Sequence, residues 1–120
     1  MKKITNAKFK SEKQEEKTVE KLFAKFLNSL PNFYLQNNKT IPFTVAKLAL
    51  TNFRINEADA KSFLKEFARL GLLNVVKFRG YKLNTPKIVK LLQQKYIIKF
   101  CKDCGIDSKK ILNALRVWMK

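Results

Sequence analysis

The apolar residues of this chain recur at the spacing of helix faces, in short segments that proline, glycine and asparagine interrupt. The clearest segment runs from Glu12 to Pro31, with apolar residues at positions i, i+3, i+4, i+7, i+8 and i+11. They are Val19, Leu22, Phe23, Phe26, Leu27 and Leu30. No apolar run approaches the roughly 18 residues that cross a bilayer. The pattern therefore predicts a mainly helical protein with neither a membrane span nor a signal peptide.

The charge balance indicates a polyanionic partner. The 120 residues include 26 Lys and Arg but only 9 Asp and Glu, so the net charge is +17. A surplus of this size on a small folded body attracts polyanions and opposes self-association. A lysine-rich codon bias would explain the preference for Lys over Arg but not the shortage of acids. Nucleic acid is therefore the expected partner, ahead of an anionic membrane or an acidic protein.

The composition argues against most classes of enzyme. The chain has no His, the commonest general base and metal ligand, and its two Cys cannot complete a four-ligand zinc site. Its nine carboxylates form no recognisable metal-binding cluster in the sequence. We therefore expect a protein without catalytic residues, metal or cofactor. Ten Phe supply too much apolar surface for a disordered polycation, so the chain should fold.

The N-terminal half of the chain is expected to contain two helices and an extended piece. Residues 1–11 lack periodicity and carry four Lys, which predicts a basic flexible arm. Rows of Glu and Lys on the far side of the first helix largely cancel in charge, so that side is expected to face solvent. A short extended piece is predicted at residues 33–41. A second helix follows, capped by Thr44 and ending near Asn52.

A third helix and a β-hairpin follow. Asn56 is expected to cap the third helix, and Gly71 to end it in the left-handed conformation. Residues 72–78 and 81–83 are rich in β-forming side chains, and Arg79-Gly80 between them predicts a two-residue hairpin turn.

Residues 85–120 are predicted to form a C-terminal helical extension. Pro86 suits the first turn of a helix, which is expected to continue unbroken to Cys104. Asp107 or Ser108 is then expected to cap a last helix.

The order of these elements makes residues 18–84 similar to a winged helix-turn-helix domain. The resemblance is strongest in Lys65-Glu66-Phe67-Ala68-Arg69-Leu70-Gly71-Leu72-Leu73, which is similar to a frequent ending of that family's recognition helix. The following Lys77-Phe78-Arg79-Gly80-Tyr81-Lys82-Leu83 resembles a wing. The expected fold is mainly α with a small β-hairpin, in which residues 12–84 form the winged-helix domain.

The resemblance implies that the third helix enters the major groove of double-stranded DNA while the wing contacts the backbone. The groove contacts would come from Lys61, Ser62 and Lys65, with Arg69 exposed beside them, and the backbone contacts from Lys77, Arg79 and Lys82. Glu57 and Asp59 depart from this pattern because they repel phosphates, although both suit the positive end of the helix dipole. The implied protein is a transcriptional regulator or a replication or chromatin accessory factor.

Two other functions are compatible with the same elements. An RNA-binding or ribonucleoprotein-associated module would need exposed aromatic rings for base stacking, and Phe78 and Tyr81 on the hairpin are the candidates. Winged helices also serve as protein-docking adaptors, so the fold class does not decide the function.

A second helix-turn-helix pattern occurs at residues 100–111. Cys101 takes the small position and Gly105 the turn. The residues that would then face a partner are Ser108, Lys109, Asn113 and Arg116. Leu112 and Trp118 fit poorly, because both are large and apolar on a face that should be wet. We favour a plain helical hairpin, whose last helix packs on the first helix or on a second subunit.

The spacing of Cys101 and Cys104 admits a redox pair or half of a shared metal site. Both residues lie at the end of a helix, where the dipole disfavours a thiolate. We therefore expect small core residues in a reduced, cytoplasmic protein.

Leu91 and Ile98 are large apolar residues inside the basic arc of the predicted long helix. Their separation of seven residues predicts a homodimer seam. The lysines around them oppose such pairing.

Overall fold

This computed structural model describes residues 4–52 and 54–119, with side chains at residues 16–52 and 54–117. Seven helices and three short strands make up this part of the chain. The elements are α1 (Ile4–Ser29), α2 (Asn32–Asn37), β1 (Ile41–Pro42), α3 (Phe43–Thr51), α4 (Glu57–Arg69), β2 (Leu73–Val76), β3 (Gly80–Leu83), α5 (Thr85–Leu92), α6 (Lys95–Cys104) and α7 (Ser108–Met119). The predicted fold class, mainly α with a small β-hairpin, is confirmed.

The three strands form one antiparallel sheet in the order β1-β3-β2. Ile41 pairs with Tyr81 and Pro42 with Gly80, so the strand before α3 is attached to the hairpin that follows α4. A Cβ atom on Gly80 would lie only 1.9 Å from the carbonyl oxygen of Ile41. Gly80 therefore permits the close approach of β1.

Three phenylalanine rings join α1 to α4 at the centre of the core. Phe23 and Phe67 meet edge to face with centroids 4.9 Å apart, and Phe26 lies 5.6 Å from Phe23 and 5.4 Å from Phe67. All three side chains are fully buried. The buried cluster extends from Val19 on α1 to Leu115 on α7, so the C-terminal helices share the core of the preceding elements.

The predicted ends of the third helix, α4, are confirmed. The side chain of Asn56 accepts a hydrogen bond from the backbone N–H of Asp59 at 2.8 Å, which caps the first turn. Glu57 and Asp59 both lie in that turn. The helix ends at Arg69, and Gly71 adopts a φ of 80°.

Two predictions in the N-terminal half are wrong. Residues 4–11 belong to α1 rather than to a flexible arm, because they include no Gly or Pro and helix propagates readily once nucleated; residues 1–3 lie outside the described residues. The extended piece predicted at residues 33–41 is confirmed only at Ile41, which begins β1. Residues 33–35 are instead helical in α2, which ends at Asn37 and is followed by Asn38 with a left-handed φ of 48°. Asn37 and Asn38 thus mark the end of a helix.

The predicted cap of the second helix is also wrong. This helix, α3, begins at Phe43 directly after Pro42, which occupies the N-cap position without a side-chain hydrogen bond. Thr44 therefore lies inside the first turn. The predicted end near Asn52 agrees with the C-cap of α3.

The hairpin has a three-residue loop instead of the predicted two-residue turn. Val76 pairs with Gly80, which leaves residues 77–79 between the strands. The N–H of Arg79 donates to the carbonyl of Val76 at 2.9 Å and closes this loop. Gly80 belongs to β3, at a position where the backbone of β1 leaves no room for a Cβ atom.

The predicted helix from Pro86 to Cys104 is interrupted. It divides into α5 and α6, and Gln94 between them adopts an extended conformation with φ −71° and ψ 137°. The break allows α5 to pack against α7 while α6 packs against α1. Leu91 is therefore buried in the core, at 6% exposure, whereas Ile98 is 46% exposed. The predicted dimerisation seam of Leu91 and Ile98 is wrong because these residues do not share one exposed face.

The charged side of α1 packs against α6, contrary to the expectation that it faces solvent. The ammonium of Lys17 lies 4.9 Å from the ring centroid of Tyr96, and those of Lys21 and Lys25 lie 5.8 and 5.9 Å from that of Phe100. The Tyr96 hydroxyl donates to the Glu20 carboxylate. Lysine stems cover apolar surface while their charges interact with aromatic faces, so a charged row can form a contact.

We expect Gly80→Ala to destabilise the fold strongly, because the new methyl group would collide with the backbone of β1. The free energy of unfolding should fall by more than about 2 kcal/mol. Gly105→Ala is the control: its φ is 74° but its Cβ would meet no atom within 4 Å, so the cost should be about 1–2 kcal/mol. Urea denaturation of both variants measures the difference, and equal losses would contradict the steric role of Gly80.

We expect Tyr96→Phe to remove the bond to Glu20 and to lower the free energy of unfolding by about 1.5 kcal/mol. Burial, followed by the contact with Glu20, raises the pKa of Tyr96. A raised folded-state pKa means that stability is present below the unfolded value of about 10 and is lost as pH rises above it. Wild-type stability should therefore fall more steeply above pH 10 than that of the variant, as denaturation at several pH values would show.

Candidate nucleic-acid interface

The outer face of α4 carries the residues that the resemblance assigned to the major groove, with Arg69 beside them. Lys61, Ser62, Lys65 and Arg69 are all exposed. The opposite face is buried through Ala60, Leu64 and Phe67, and their helical spacing turns the polar residues outward.

An open cleft of about 230 Å³ lies beside this face, between α3, α4 and β3. We call it the lysine cleft; its lining residues are Phe43, Lys47, Lys61, Leu64, Lys65 and Tyr81. The rings of Phe43 and Tyr81 meet edge to face at 5.3 Å. Three lysines thus line a largely apolar cleft.

Sequence reasoning missed two members of the lysine cleft. Phe43 and Lys47 are four residues apart, the spacing that places side chains on one helix face. Pro42 before them signals the start of that helix. Their nearness to Tyr81, however, depends on the pairing of β1 with β3.

Two ion pairs modify the charge of α4. Glu57 at the start of the helix lies 3.5 Å from Lys47, and Glu66 lies 2.7 Å from the Nη2 atom of Arg69. The Nε of Arg69 also donates to Glu66, at 2.9 Å. Such exposed pairs contribute little to stability. The charge of Arg69 is nevertheless partly balanced by Glu66, whereas neither of these two ion pairs involves Lys61 or Lys65.

The hairpin presents the three cations that the resemblance assigned to the DNA backbone. Lys77, Arg79 and Lys82 are exposed. Phe78 at the tip is 88% exposed, more than any other described large apolar side chain. Tyr81 is only 9% exposed, and burial raises its pKa. Of the two predicted stacking residues, only Phe78 is freely accessible.

The C-terminal turn has the backbone geometry expected at the end of a helix. Gly105 adopts a φ of 74°, and the N–H of Ile106 donates to the carbonyl of Cys101 at 2.7 Å. Asp107, one of two predicted caps, accepts from the N–H of Lys110 at 3.1 Å. Leu112 packs against the core. A face containing Leu112 is therefore not freely available to a partner.

The cations proposed for a second DNA contact lie on α7. Lys109 and Arg116 are exposed, and Ser108 is half-buried. This helix packs against α2 and α5. The side chain of Trp118 lies outside the described residues.

The two cysteines differ in environment, and both are free thiols. Cys101 is buried at 1% exposure, and burial raises its pKa, with a smaller contribution from Cys104. Cys104 is exposed. The prediction of a core residue is confirmed for Cys101 and wrong for Cys104, because Cys104 is in the last turn of α6 on its outer side.

Comparisons with protein-family models, curated proteins and solved structures found no match to this chain. The helices described here include none with the length and apolar character needed to cross a membrane. Within the described residues, His, Cys, Asp and Glu side chains form no group of three or more that could hold a metal ion.

We expect single alanine variants to separate the two thiols. Cys101→Ala should lower the free energy of unfolding by roughly 1–2 kcal/mol because it leaves a small cavity, whereas Cys104→Ala should change it by less than about 0.5 kcal/mol. A thiol reagent should label Cys104 rapidly and Cys101 only on unfolding. Rapid labelling of both thiols in the native protein would contradict the buried position of Cys101.

Proposed function

We propose that this protein binds double-stranded DNA without catalysis, as a transcriptional regulator or a replication or chromatin accessory factor. In this proposal residues 12–84 act as a winged-helix domain, α4 enters the major groove and the hairpin contacts the backbone. The observation that carries the proposal is the exposed polar face of α4 beside a hairpin loop with exposed cations. A cytoplasmic location fits the free thiols of Cys101 and Cys104.

The arrangement of elements supports the winged-helix assignment. Helix α1, strand β1, helices α3 and α4, and the hairpin follow one another in the order that the resemblance requires. The pairing of β1 with β3 fixes the hairpin beside the α3–α4 pair. Helix α2 is an addition to this plan.

The charge distribution supports a phosphate-rich partner. Lys61 and Lys65 project from one side of α4, and Lys77, Arg79 and Lys82 from the hairpin. Each lysine or arginine that neutralises a phosphate releases a counterion, so affinity arises without sequence readout. Base contacts from the same helix would add specificity. The negative charge of Glu57 at the start of α4 is partly balanced by its ion pair with Lys47.

A homodimer is not required for this function. Leu91 is buried, so it cannot form the exposed seam on which the predicted homodimer depended. An exposed face formed by Leu91 and Ile98 would have supported the protein-docking alternative, and the burial of Leu91 removes that face.

RNA binding is the second candidate, because the exposed ring of Phe78 could stack on an unpaired base. Duplex DNA is favoured over RNA because the other stacking candidate, Tyr81, is buried. Titrating the protein with duplex DNA, single-stranded DNA and structured RNA across a salt series would rank the three polymers. Tightest binding to structured RNA would overturn the proposal.

We expect the double variant Arg79→Ala with Lys82→Ala to bind every duplex more weakly. The slope of log affinity against log salt should become shallower by about two. Each cation that is removed leaves one phosphate unneutralised, so binding releases roughly one counterion fewer from the DNA. The matched control is Lys99→Ala with Lys102→Ala, which removes the same charge from the exposed side of α6 and should leave the slope nearly unchanged. Unchanged affinity of the hairpin variant at two salt concentrations would contradict a DNA contact by the hairpin.

A further inference from the structure

Phe78 occupies an unusual place for a phenylalanine. It lies at the tip of the β2–β3 hairpin and is 88% exposed. Its one described ring contact is with its neighbour Lys77, whose ammonium lies 5.3 Å from the ring centroid. Packing inside the folded chain therefore does not account for the position of this ring.

The backbone at this position is also unfavourable for a phenylalanine. The bond from Arg79 to Val76 makes Lys77 and Phe78 the central residues of a β-turn. Phe78 has a φ of 65°, at the third turn position where a positive φ favours glycine or asparagine. A bulky side chain in the left-handed region is an outlier that the surrounding structure must tolerate. The exposure and the strain both indicate that the ring acts outside the folded chain.

We propose that Phe78 is a wedge that inserts between adjacent base pairs of duplex DNA and kinks it. This inference rests on the proposed function and specifies how the hairpin contacts its ligand. Apolar side chains inserted from the minor groove unstack a base step and bend the duplex. The ring projects from a narrow loop, and none of the described elements covers it, which suits insertion between bases.

The neighbours of Phe78 favour DNA as the occupant. Lys77 and Arg79 adjoin it in the chain, and Lys82 follows on β3; all are exposed cations. Phosphates flank every base step on both strands, so a ring between two cations matches the charge pattern at a kinked step. Insertion would remove the ring from water and bring Lys77 and Arg79 against phosphates. An uncharged or basic protein surface offers no such complement.

A wedge predicts a sequence preference that does not depend on hydrogen bonds. Pyrimidine–purine steps unstack more easily than other steps, and a mismatch or nick lowers the cost further. The protein should therefore prefer duplexes with a central TA step, or with a mismatch, over duplexes of the same length with a stiff A-tract.

The decisive experiment combines a base-stacking probe with two substitutions at the tip. Duplexes carrying 2-aminopurine at a central TA step should brighten when the wild-type protein unstacks the base. Phe78→Ala and Phe78→Asn should abolish the brightening and lower affinity for this duplex roughly tenfold, within the range of a lost base–aromatic stack. The salt slope should stay the same, because no cation is removed.

Phe78→Asn distinguishes loss of function from loss of folding. Asparagine tolerates a positive φ, so this variant should melt at or above the wild-type temperature while binding DNA more weakly. Val75→Ala is the control, since Val75 is also exposed on the hairpin but lies on β2 away from the tip. Its affinity should equal that of the wild type.

The outcomes separate the wedge from the proposed function. Salt-dependent duplex binding with unchanged 2-aminopurine emission and an unaffected Phe78→Ala variant would overturn the wedge and leave the proposed function standing. Failure to bind any duplex would overturn both. Binding that depends on Phe78 only with single-stranded DNA or structured RNA would also overturn the wedge, and would assign the ring to unpaired bases.

Discussion

The contact between the rings of Phe23, Phe26 and Phe67 fixes the orientation of α4, on which the candidate interface depends. These rings lie at the crossing of α1 and α4, with centroids 4.9–5.6 Å apart and no exposure to water. The directions of side chains on a helix are fixed relative to one another, so the inward position of Phe67 directs Lys61 and Lys65 outward. The pairing of β1 with β3 then adds the wall that completes the lysine cleft. A substitution in the phenylalanine cluster would consequently alter the lysine face without touching it.

The features that could be predicted from sequence are those that local chemistry determines. Asn56 caps α4 and Asp107 caps α7, because a side-chain oxygen satisfies an N–H group at most three residues away. Gly71 and Gly105 follow helices in left-handed conformations, as glycine permits. The exposed residues of α4 followed from periodicity alone. This much of the site required no knowledge of which elements are neighbours.

The features that sequence reasoning missed depend on contacts between distant parts of the chain. The apolar spacing from Pro86 onward permits one continuous helix, and only the need to pack α5 on α7 and α6 on α1 introduces the break at Gln94. Gly80 resembles a turn glycine, yet it is required by the carbonyl of Ile41, about forty residues earlier. The lysine cleft escaped prediction for the same reason, since its two sides come from different halves of the chain.

The packing of α6 across α1 also has a consequence for biosynthesis. The bond between Glu20 and Tyr96 spans 76 residues, so the charged side of α1 cannot pack against α6 until most of the chain has left the ribosome. The apolar face of α1 can pack earlier, against Phe67 on α4, because contacts of longer range form later and more slowly. The lysines that later stack on the α6 rings lie along the same helix as that face. Because like charges repel, we expect these lysines to oppose association between incomplete chains before α6 packs over them.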